Sequence, residues 1–220
     1  KAGGATVDEG MDIVVDGSGN SYTTGYFSGS ASFGSTSFSS SGATDIFLVK
    51  TNSSGAILWA KKAGGSGSDR GLAIDVDGSG NVYITGYFSG TAAFGSTSIS
   101  STGSQDIFIA KYNGAGNLQW VNKAGGNQAD RGNGISIDNS GNVAVVGEFK
   151  GTATFGSNSL SSQANSIDVF ITKLTSSGTF SWAQKGSAKF TDRAVAVGTD
   201  NSGNIYAVGL FSDTITFDFA

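Results

Sequence analysis

The nearest approach to a metal site in this chain is the sequence DVDGSGN, which starts at Asp75. Closely spaced carboxylates and a glycine turn can wrap a hard cation such as Ca²⁺. A calcium loop places a bidentate Glu at its twelfth position, where this chain has Gly86. Of the two carboxylates, only the second recurs along the chain, at Asp16, Asp77, Asp138 and Asp200. Asp side chains that cap a glycine hairpin turn explain this pattern, so we predict no metal site and keep calcium as the alternative.

Carboxylates that could act as general acids or bases recur in two further sets. One set precedes the first β-rich run of each repeat and consists of Asp8, Asp69, Asp130 and Asp192. The other precedes the third run and consists of Asp45, Asp106 and Asp168. Three members of the first set are followed directly by Arg70, Arg131 and Arg193. A catalytic carboxylate pair needs one site with two different environments, so a motif copied three or four times indicates a structural scaffold or multivalent binding instead.

The direction of antiparallel strands predicts which of these groups can meet. Such strands reverse at each turn, so the entries to the first and third strands lie at the same end of a sheet. Arg70 could therefore reach Asp106 or Asp45 across the junction between two repeats, and we expect either a structural ion pair there or bonding of these carboxylates to the backbone. A hydrolase that uses Asp and Glu is a distant alternative, because Glu9 and Glu148 are the only glutamates and fall in different repeats.

Aromatic side chains offer a third kind of chemistry, the stacking of sugar rings. Tyr26 and Tyr87 stand near the end of the second β-rich run in two repeats, where an exposed ring could bind a glycan. The three tryptophans recur at one repeat position and are expected to pack between repeats; they are Trp59, Trp120 and Trp182.

The composition excludes most other chemistry. The 220 residues include no Cys and no His, which removes disulfides, thiolate zinc sites and the Ser-His-Asp and Cys-His catalytic arrangements. A formal net charge of -4 disfavours binding to nucleic acid. No apolar run approaches the roughly 18 residues of a membrane helix. We therefore predict no enzyme activity, no cofactor, no nucleic-acid partner and no membrane-spanning segment.

An internal repeat determines the architecture. Lys1-Ala2-Gly3-Gly4 returns at Lys62 and Lys123 and, in weaker form, at Lys185. The same step of 61 or 62 residues separates Phe33, Phe94, Phe155 and Phe217. The predicted repeats of this single array are approximately 1–61, 62–122, 123–184 and 185–220.

Each repeat contains four β-rich runs, which in the second repeat begin at Gly71, Asn81, Asp106 and Leu118. A smaller hairpin is predicted within residues 89–105. Four short antiparallel strands per repeat predict an all-β fold, a β-propeller of four-stranded antiparallel blades, with a β-solenoid as the alternative. About 3.6 repeats of 61–62 residues predict a partial propeller or a fragment of a longer array. The expected core of the second repeat is Leu72, Ile74, Val76, Val82 and Ile84.

The repeat resembles a known bacterial family. The segments IDVDGSGNVYITGYFSGTAAFG, from Ile74, and QDIFIAKYNGAGNLQW, from Gln105, are similar to the β-propeller repeat called the SBBP repeat. The resemblance covers three full copies and part of a fourth. It implies extracellular or cell-surface bacterial proteins, often large and exported by type IX secretion, and it implies no single activity. The first copy departs from it at Glu9, where the others have Arg.

We therefore expect a non-catalytic extracellular or cell-surface scaffold, such as an adhesin module. Its partners would be other protein chains, the cell envelope or the remaining blades of a longer polypeptide, held through many weak sites. A lectin-like propeller that binds glycans near Tyr26 and Tyr87 is the alternative. Within each repeat, we expect the Asp69, Arg70 and Asp106 positions at one end with the small hairpins, and the Asp77 turns at the other.

Overall fold

The structure, a computed structural model, describes residues 2–163, 166–187, 191–212, 214 and 216–217, so Lys1 of the first repeated motif lies outside the described residues. Within them the chain is all-β. The strands are β1 Ala2–Gly4, β2 Asp8–Val15, β3 Ser21–Phe27, β4 Ser30–Phe33, β5 Thr36–Ser39, β6 Asp45–Thr51, β7 Ile57–Gly65, β8 Arg70–Val76, β9 Val82–Phe88, β10 Thr91–Phe94, β11 Thr97–Ser100, β12 Asp106–Tyr112, β13 Leu118–Gly126, β14 Arg131–Ile137, β15 Val143–Lys150, β16 Thr152–Phe155, β17 Asn158–Ser161, β18 Ile167–Leu174, β19 Phe180–Ser187, β20 Arg193–Thr199, β21 Ile205–Leu210 and β22 Thr216–Phe217.

The strands form antiparallel sheets that repeat along the chain. Two of the sheets have six strands each, in the orders β11-β10-β7-β6-β3-β2 and β17-β16-β13-β12-β9-β8. In each of these sheets, the four main strands of one repeat, such as β2, β3, β6 and β7, are joined by the two strands of the next repeat's small hairpin, such as β10 and β11. The hairpin predicted within residues 89–105 is therefore present as β10 and β11. These two sheets have six strands each, where the sequence predicted four. A fifth and sixth strand cross from one repeat to its neighbour.

Glycines at the end of the fourth strand permit this crossing. Gly65 pairs with Ala92 of the incoming hairpin, and a Cβ at Gly65 would lie only 1.8 Å from the Thr91 carbonyl oxygen. Gly126 meets Thr152 in the same way at the next junction. Only a residue without a side chain allows two backbones to approach so closely. The repeated Lys-Ala-Gly-Gly motif is thus the acceptor of the neighbouring hairpin.

Two of the four hydrophobic cores found among the described residues fill spaces between the sheets of the first three repeats. One joins Tyr22, Ile46 and Leu48 of the first repeat to Ile74 and other residues of the second. The other joins Ile107 and Ile109 of the second repeat to residues of the third. Of the predicted core, Ile74, Val82 and Ile84 are buried as expected, and Val76 is half-buried. Leu72 is half-buried as well, but it belongs to neither of these two cores, because a β-bulge turns its side chain toward another space.

A β-bulge occurs at the same place in every first strand, after Gly10, Gly71, Gly132 and Ala194. A bulge leaves one extra residue unpaired and turns its side chain away from the regular alternation. The extra residues are Met11, Leu72, Asn133 and Val195. All four line one cavity of about 380 Å³. Residues of the first strands of the four repeats therefore line a common space, which we call the axial cavity.

Candidate functional site

The axial cavity has an apolar wall and one polar group that is not satisfied. Met11, Leu72 and Val195 supply apolar surface. The Asn133 side-chain nitrogen donates to the Ala194 carbonyl at 2.9 Å, whereas its Oδ1 is buried without a hydrogen-bond partner among the described residues. The cavity could accept a small apolar group. The sequence analysis did not identify this set of bulge residues. Its mark in the sequence is the variable residue that directly follows Gly10, Gly71 and Gly132.

The Asp-Gly-Ser-Gly turns use their carboxylates within the protein. Asp77 Oδ1 accepts the backbone N–H groups of Ser79 and Asn81, and its Oδ2 accepts the Asn81 amide and the Tyr83 hydroxyl. Asp16 makes the same four contacts, and hydrogen bonding led by the Asn20 side chain lowers the pKa of Asp16 to about 2. These geometries support the hairpin-cap interpretation over the calcium alternative. No group of three or more acidic ligands with metal-binding geometry occurs within the described ranges.

Arg70 does not reach either of its predicted partners, Asp45 or Asp106. Lys62 instead pairs with Asp45 at 2.8 Å, and the equivalent Lys123 lies 3.8 Å from Asp106. The Arg70 guanidinium stacks on the ring of Tyr26 in the preceding repeat, 4.0 Å from its centroid. The prediction of an ion pair with Arg70 is wrong, because a lysine on the adjacent fourth strand already forms an ion pair with the carboxylate.

The same stacking recurs at the next junction and changes chemically at the third. Arg131 lies 5.0 Å from the centroid of the Tyr87 ring. In the third repeat, Glu148 replaces the tyrosine, and its carboxylate lies 3.4 Å from Arg193 Nε and 3.8 Å from Arg131. Each Arg thus contacts the last residues of the second strand in the preceding repeat.

Tyr26 and Tyr87 are not the exposed platforms that a glycan would need. Their exposed fractions are only 5% and 6%, and an Arg covers a face of each ring. The Tyr26 hydroxyl also donates to Glu9, which raises the pKa of that phenol. The prediction of exposure is wrong for both rings, because the next repeat packs on this side of the strand.

Removing the Arg70 guanidinium should weaken the junction between the first two repeats. We expect Arg70→Ala to lower the free energy of unfolding by about 1–2 kcal/mol, because it removes a partly desolvated cation–π contact. In a double-mutant cycle with Tyr26→Ala, measured by urea unfolding, the coupling energy should be about 0.5–2 kcal/mol. A coupling energy near zero would show that the two side chains do not interact in solution.

Carboxylate pairs are buried where adjacent repeats meet. Asp45 and Asp69 lie on either side of Gly64, at which a Cβ would be 3.1 Å from Asp45 Oδ1 and 2.9 Å from Asp69 Oδ2. Asp69 accepts the backbone N–H groups of Gly65 and Ser89, so it ties the fourth strand to the start of the hairpin. Burial, with a smaller contribution from the neighbouring Asp45, raises the pKa of Asp69 to about 6.

Other aspartates of the two repeated sets also accept hydrogen bonds from the protein's own backbone. Asp130 accepts from Gly126 and Lys150, and burial raises its pKa to about 6. Asp106 accepts from Thr102 and Gly103. Asp168 accepts from the Ser166 hydroxyl and Gln163, and Asp192 accepts from Ser212. In these contacts the repeated carboxylates accept hydrogen bonds from the protein's own backbone N–H groups and from the Ser166 hydroxyl.

The tryptophans hold a turn of the following repeat. Trp59 donates its indole N–H to the Gly114 carbonyl at 3.1 Å, and Trp120 donates to the Ser176 carbonyl at 3.3 Å. Both acceptors lie in the turn that connects the third and fourth strands of the next repeat. Trp182 has the same position in the third repeat and lines a cavity of about 480 Å³.

Apolar side chains are exposed on the two terminal faces of the array. Ile13 on β2 is 61% exposed, whereas the equivalent Ile74 is buried against the preceding repeat. Val208 on β21 is 62% exposed, whereas the equivalent Val146 is buried against the following one. We call the surface of Val7, Ile13 and Val15 the first end face, and that of Tyr206, Val208 and Leu210 the second end face.

No helix in the described part of the chain is long and apolar enough to cross a membrane.

Comparison with known proteins gives two similarities. The chain is 26% identical over 212 residues to an uncharacterized WD repeat-containing protein of Acanthamoeba polyphaga mimivirus, with 79% of this chain and 15% of that protein covered. It is 31% identical over 113 residues to the regulatory protein FlaEY of Caulobacter vibrioides, with 50% of this chain and 12% of that protein covered.

The chain thus spans less than a sixth of the length of either curated relative. No family model matches the sequence. The similarity to a WD repeat-containing protein and the repeating antiparallel sheets together suggest a repeat protein of the β-propeller kind.

Proposed function

We propose that this chain is a non-catalytic β-propeller scaffold that holds other protein chains outside a bacterial cell or on its surface. The observation that carries the proposal is the pair of exposed apolar end faces. Large exposed apolar patches on folded proteins mark interaction sites. Tyr206 and Val208 occupy repeat positions that are buried in the first three repeats, and Ile13 occupies one that is buried in the second and third repeats. Their chemistry is therefore that of a surface that packs against protein, either another chain or further blades of the same polypeptide.

The remaining support comes from the similarities and from the carboxylates. The WD repeat-containing relative suggests a protein-interaction scaffold. The resemblance to the SBBP repeat supports an extracellular location, an adhesin role and type IX export. The repeated Asp residues already bind backbone N–H groups, which supports a structural use over a catalytic one.

The proposal is tested by binding to proteins of the source organism's cell envelope. The immobilised chain should retain a protein that, once purified, binds the wild type and binds the Val208→Asp/Leu210→Asp variant at least about tenfold more weakly. Charges on the second end face must be desolvated when a partner covers it, which opposes binding. Ser98→Asp, which adds a charge to an exposed hairpin position, should bind as the wild type does. Equal binding by all three would contradict a protein-binding role for this face.

Glycan arrays separate this proposal from the lectin alternative. A sugar could stack on Tyr26 or Tyr87 only after Arg70 or Arg131 had moved away from the ring. We expect arrays probed with the wild-type chain to be blank. Strong sugar binding that Tyr87→Ala abolishes would instead establish the lectin function.

A further inference from the structure

A lysine and two aspartates meet at the junction between the first and second repeats. Lys62 Nζ lies 2.8 Å from Asp45 Oδ2, and Asp69 packs beside Asp45 at Gly64. Lys62 pairs across the sheet with Phe47, two residues after Asp45, so the Lys62 and Asp45 side chains lie on one face. Both aspartates are fully buried, whereas the Lys62 side chain is 26% exposed.

The Lys62 nitrogen is held against the Asp45 carboxyl group. It also donates to the Ser39 carbonyl at 3.0 Å and to the Ser41 hydroxyl at 2.7 Å, so three acceptors fix its position. Asp45 lies opposite the fully buried Phe27 on the neighbouring strand, which keeps water from that side. A nucleophile and a carboxyl group that are held in contact in this way react at a high effective concentration.

The other oxygen of Asp45 is buried next to Asp69. Asp45 Oδ1 has no hydrogen-bond partner among the described residues. A Cβ at Gly64 would lie 3.1 Å from this oxygen and 2.9 Å from Asp69 Oδ2, so both oxygens flank one backbone position. Burial raises the pKa of Asp69 to about 6, so below that pH most Asp69 groups hold a proton beside Asp45. The two carboxyl groups therefore have different environments, as an acid and its reaction partner need.

We propose that Lys62 and Asp45 condense into an isopeptide bond, with Asp69 as the proton donor. The lysine nitrogen attacks Asp45 Cγ, so that a C–N bond forms and one C–O bond breaks. The departing oxygen leaves as one water with two protons that come from the ammonium group. Asp69 protonates this oxygen and regains a proton from the nitrogen, so it ends unchanged. One positive and one negative charge disappear together, and the step needs no oxidant or co-reactant.

The bond fixes the strand that receives the neighbouring hairpin. It joins β6 to β7, two residues before Gly64, and Gly64 and Gly65 pair with the hairpin of the second repeat. The chain has no Cys, so this cross-link closes a loop of the unfolded chain without a disulfide. The inference goes beyond the proposed scaffold function and does not depend on it.

The same lysine is placed less favourably in the next two repeats. Lys123 lies 3.8 Å from Asp106. Lys185 donates to the Ser161 carbonyl, and within the described ranges it forms no ion pair with Asp168. The first repeat therefore has the closest approach of nitrogen to carboxyl group, and the second repeat provides matched controls.

Intact mass spectrometry of the purified and unfolded full chain tests the proposal. The wild type should weigh at least about 18 Da less than its sequence requires, because one water leaves. Trypsin does not cut after an acylated lysine, so the digest should contain one species that joins the peptide ending at Lys50 to residues 62–70. A mass equal to that of the sequence, or a digest that is cut normally after Lys62, would overturn the proposal.

A substitution of the lysine separates the bond from the ion pair. Lys62→Arg keeps a positive charge beside Asp45 but should abolish the joined species, because the guanidinium stays protonated and does not attack a carboxyl group. Lys123→Arg, the same change one repeat later, should leave the joined species intact. A mass deficit that is equally large in wild type and Lys62→Arg would place the lost water elsewhere and contradict the assignment.

Substitutions of Asp69 test the proton donor. Asp69→Asn should reduce the yield of the joined species at least about tenfold, whereas Asp69→Glu, which keeps the acid, should restore part of it. Asp130→Asn is the matched control and should give the wild-type yield. Circular dichroism shows that each variant is folded. An undiminished yield in Asp69→Asn, or equal losses in Asp69→Asn and Asp69→Glu, would contradict the role of Asp69.

Discussion

Replacing Phe94 with Ala should lower the free energy of unfolding by about 3–5 kcal/mol. Phe94 belongs to the hairpin of the second repeat, but the hairpin pairs with β7 of the first. Its ring is fully buried, with its centroid 5.1 Å from that of Phe108 on the second repeat's own sheet. The substitution therefore leaves a cavity at the place where the hairpin locks two repeats together. Urea unfolding followed by circular dichroism measures the loss.

The matched control for this prediction is Ser98→Ala on the same hairpin. Ser98 is exposed, so its replacement should change the free energy of unfolding by less than about 0.5 kcal/mol. If Phe94→Ala were as mild as Ser98→Ala, the hairpin would not be packed between the repeats in solution.

Stability should fall as the pH rises from about 4 to about 7. Asp69 and Asp130 are fully buried, and burial raises the pKa of each to about 6, from 3.8. A carboxyl group whose folded-state pKa is raised stabilises the fold below its unfolded pKa, and that contribution is lost as the pH rises through the folded value. Each group should therefore cost about 1–3 kcal/mol between pH 4 and pH 7.

The charges around these two carboxyl groups are few. Asp69 faces Asp45, which disfavours ionisation, and Lys62, which favours it. Asp130 faces Asp106, which disfavours ionisation. The chain has no His whose titration would overlap this range.

Urea unfolding at a series of pH values tests this dependence. The Asp69→Asn/Asp130→Asn variant should lose most of the decline, because its side chains do not ionise. Asp16→Asn is the control: the Asp16 pKa of about 2 lies below the range, so this variant should keep the wild-type slope. A wild-type stability that is flat or rises from pH 4 to pH 7 would refute the assignment of buried, protonated carboxyl groups.

The hairpin shows what the sequence could and could not predict. Its strands are visible as local alternation, and the prediction within residues 89–105 agrees with β10 and β11. Its destination is not local, because it pairs with β7 of the preceding repeat. The sequence does mark this pairing at Gly65. This glycine does not lie in a turn, and it is needed because another backbone comes close to it.

The candidate contacts were predicted less well, for a physical reason. Strand direction correctly brought the entries of the first and third strands to one end of the sheet, but it does not specify partners across a junction. Arg70 and Lys62 are both cations within reach of that end, and the closer Lys62 takes Asp45. The bulge residue Leu72 was predicted to lie in the core, because period-two alternation cannot reveal an inserted residue.

The central claim of this account is that the first strands of four repeats surround one axis. Met11 on β2 and Val195 on β20 belong to the first and last repeats, yet they line the same axial cavity. The chain has no cysteine, so Met11→Cys/Val195→Cys can be spin-labelled at two defined sites. Double electron–electron resonance then measures the distance between the labels.

The result separates an array that curves around an axis from a straight stack. A curved array predicts one main distance of about 20 Å or less, whereas three steps of about 10 Å between sheets in a straight stack give about 30 Å. A distance at or below the shorter value would support the propeller arrangement. A main distance of about 30 Å or more would contradict it and favour the solenoid.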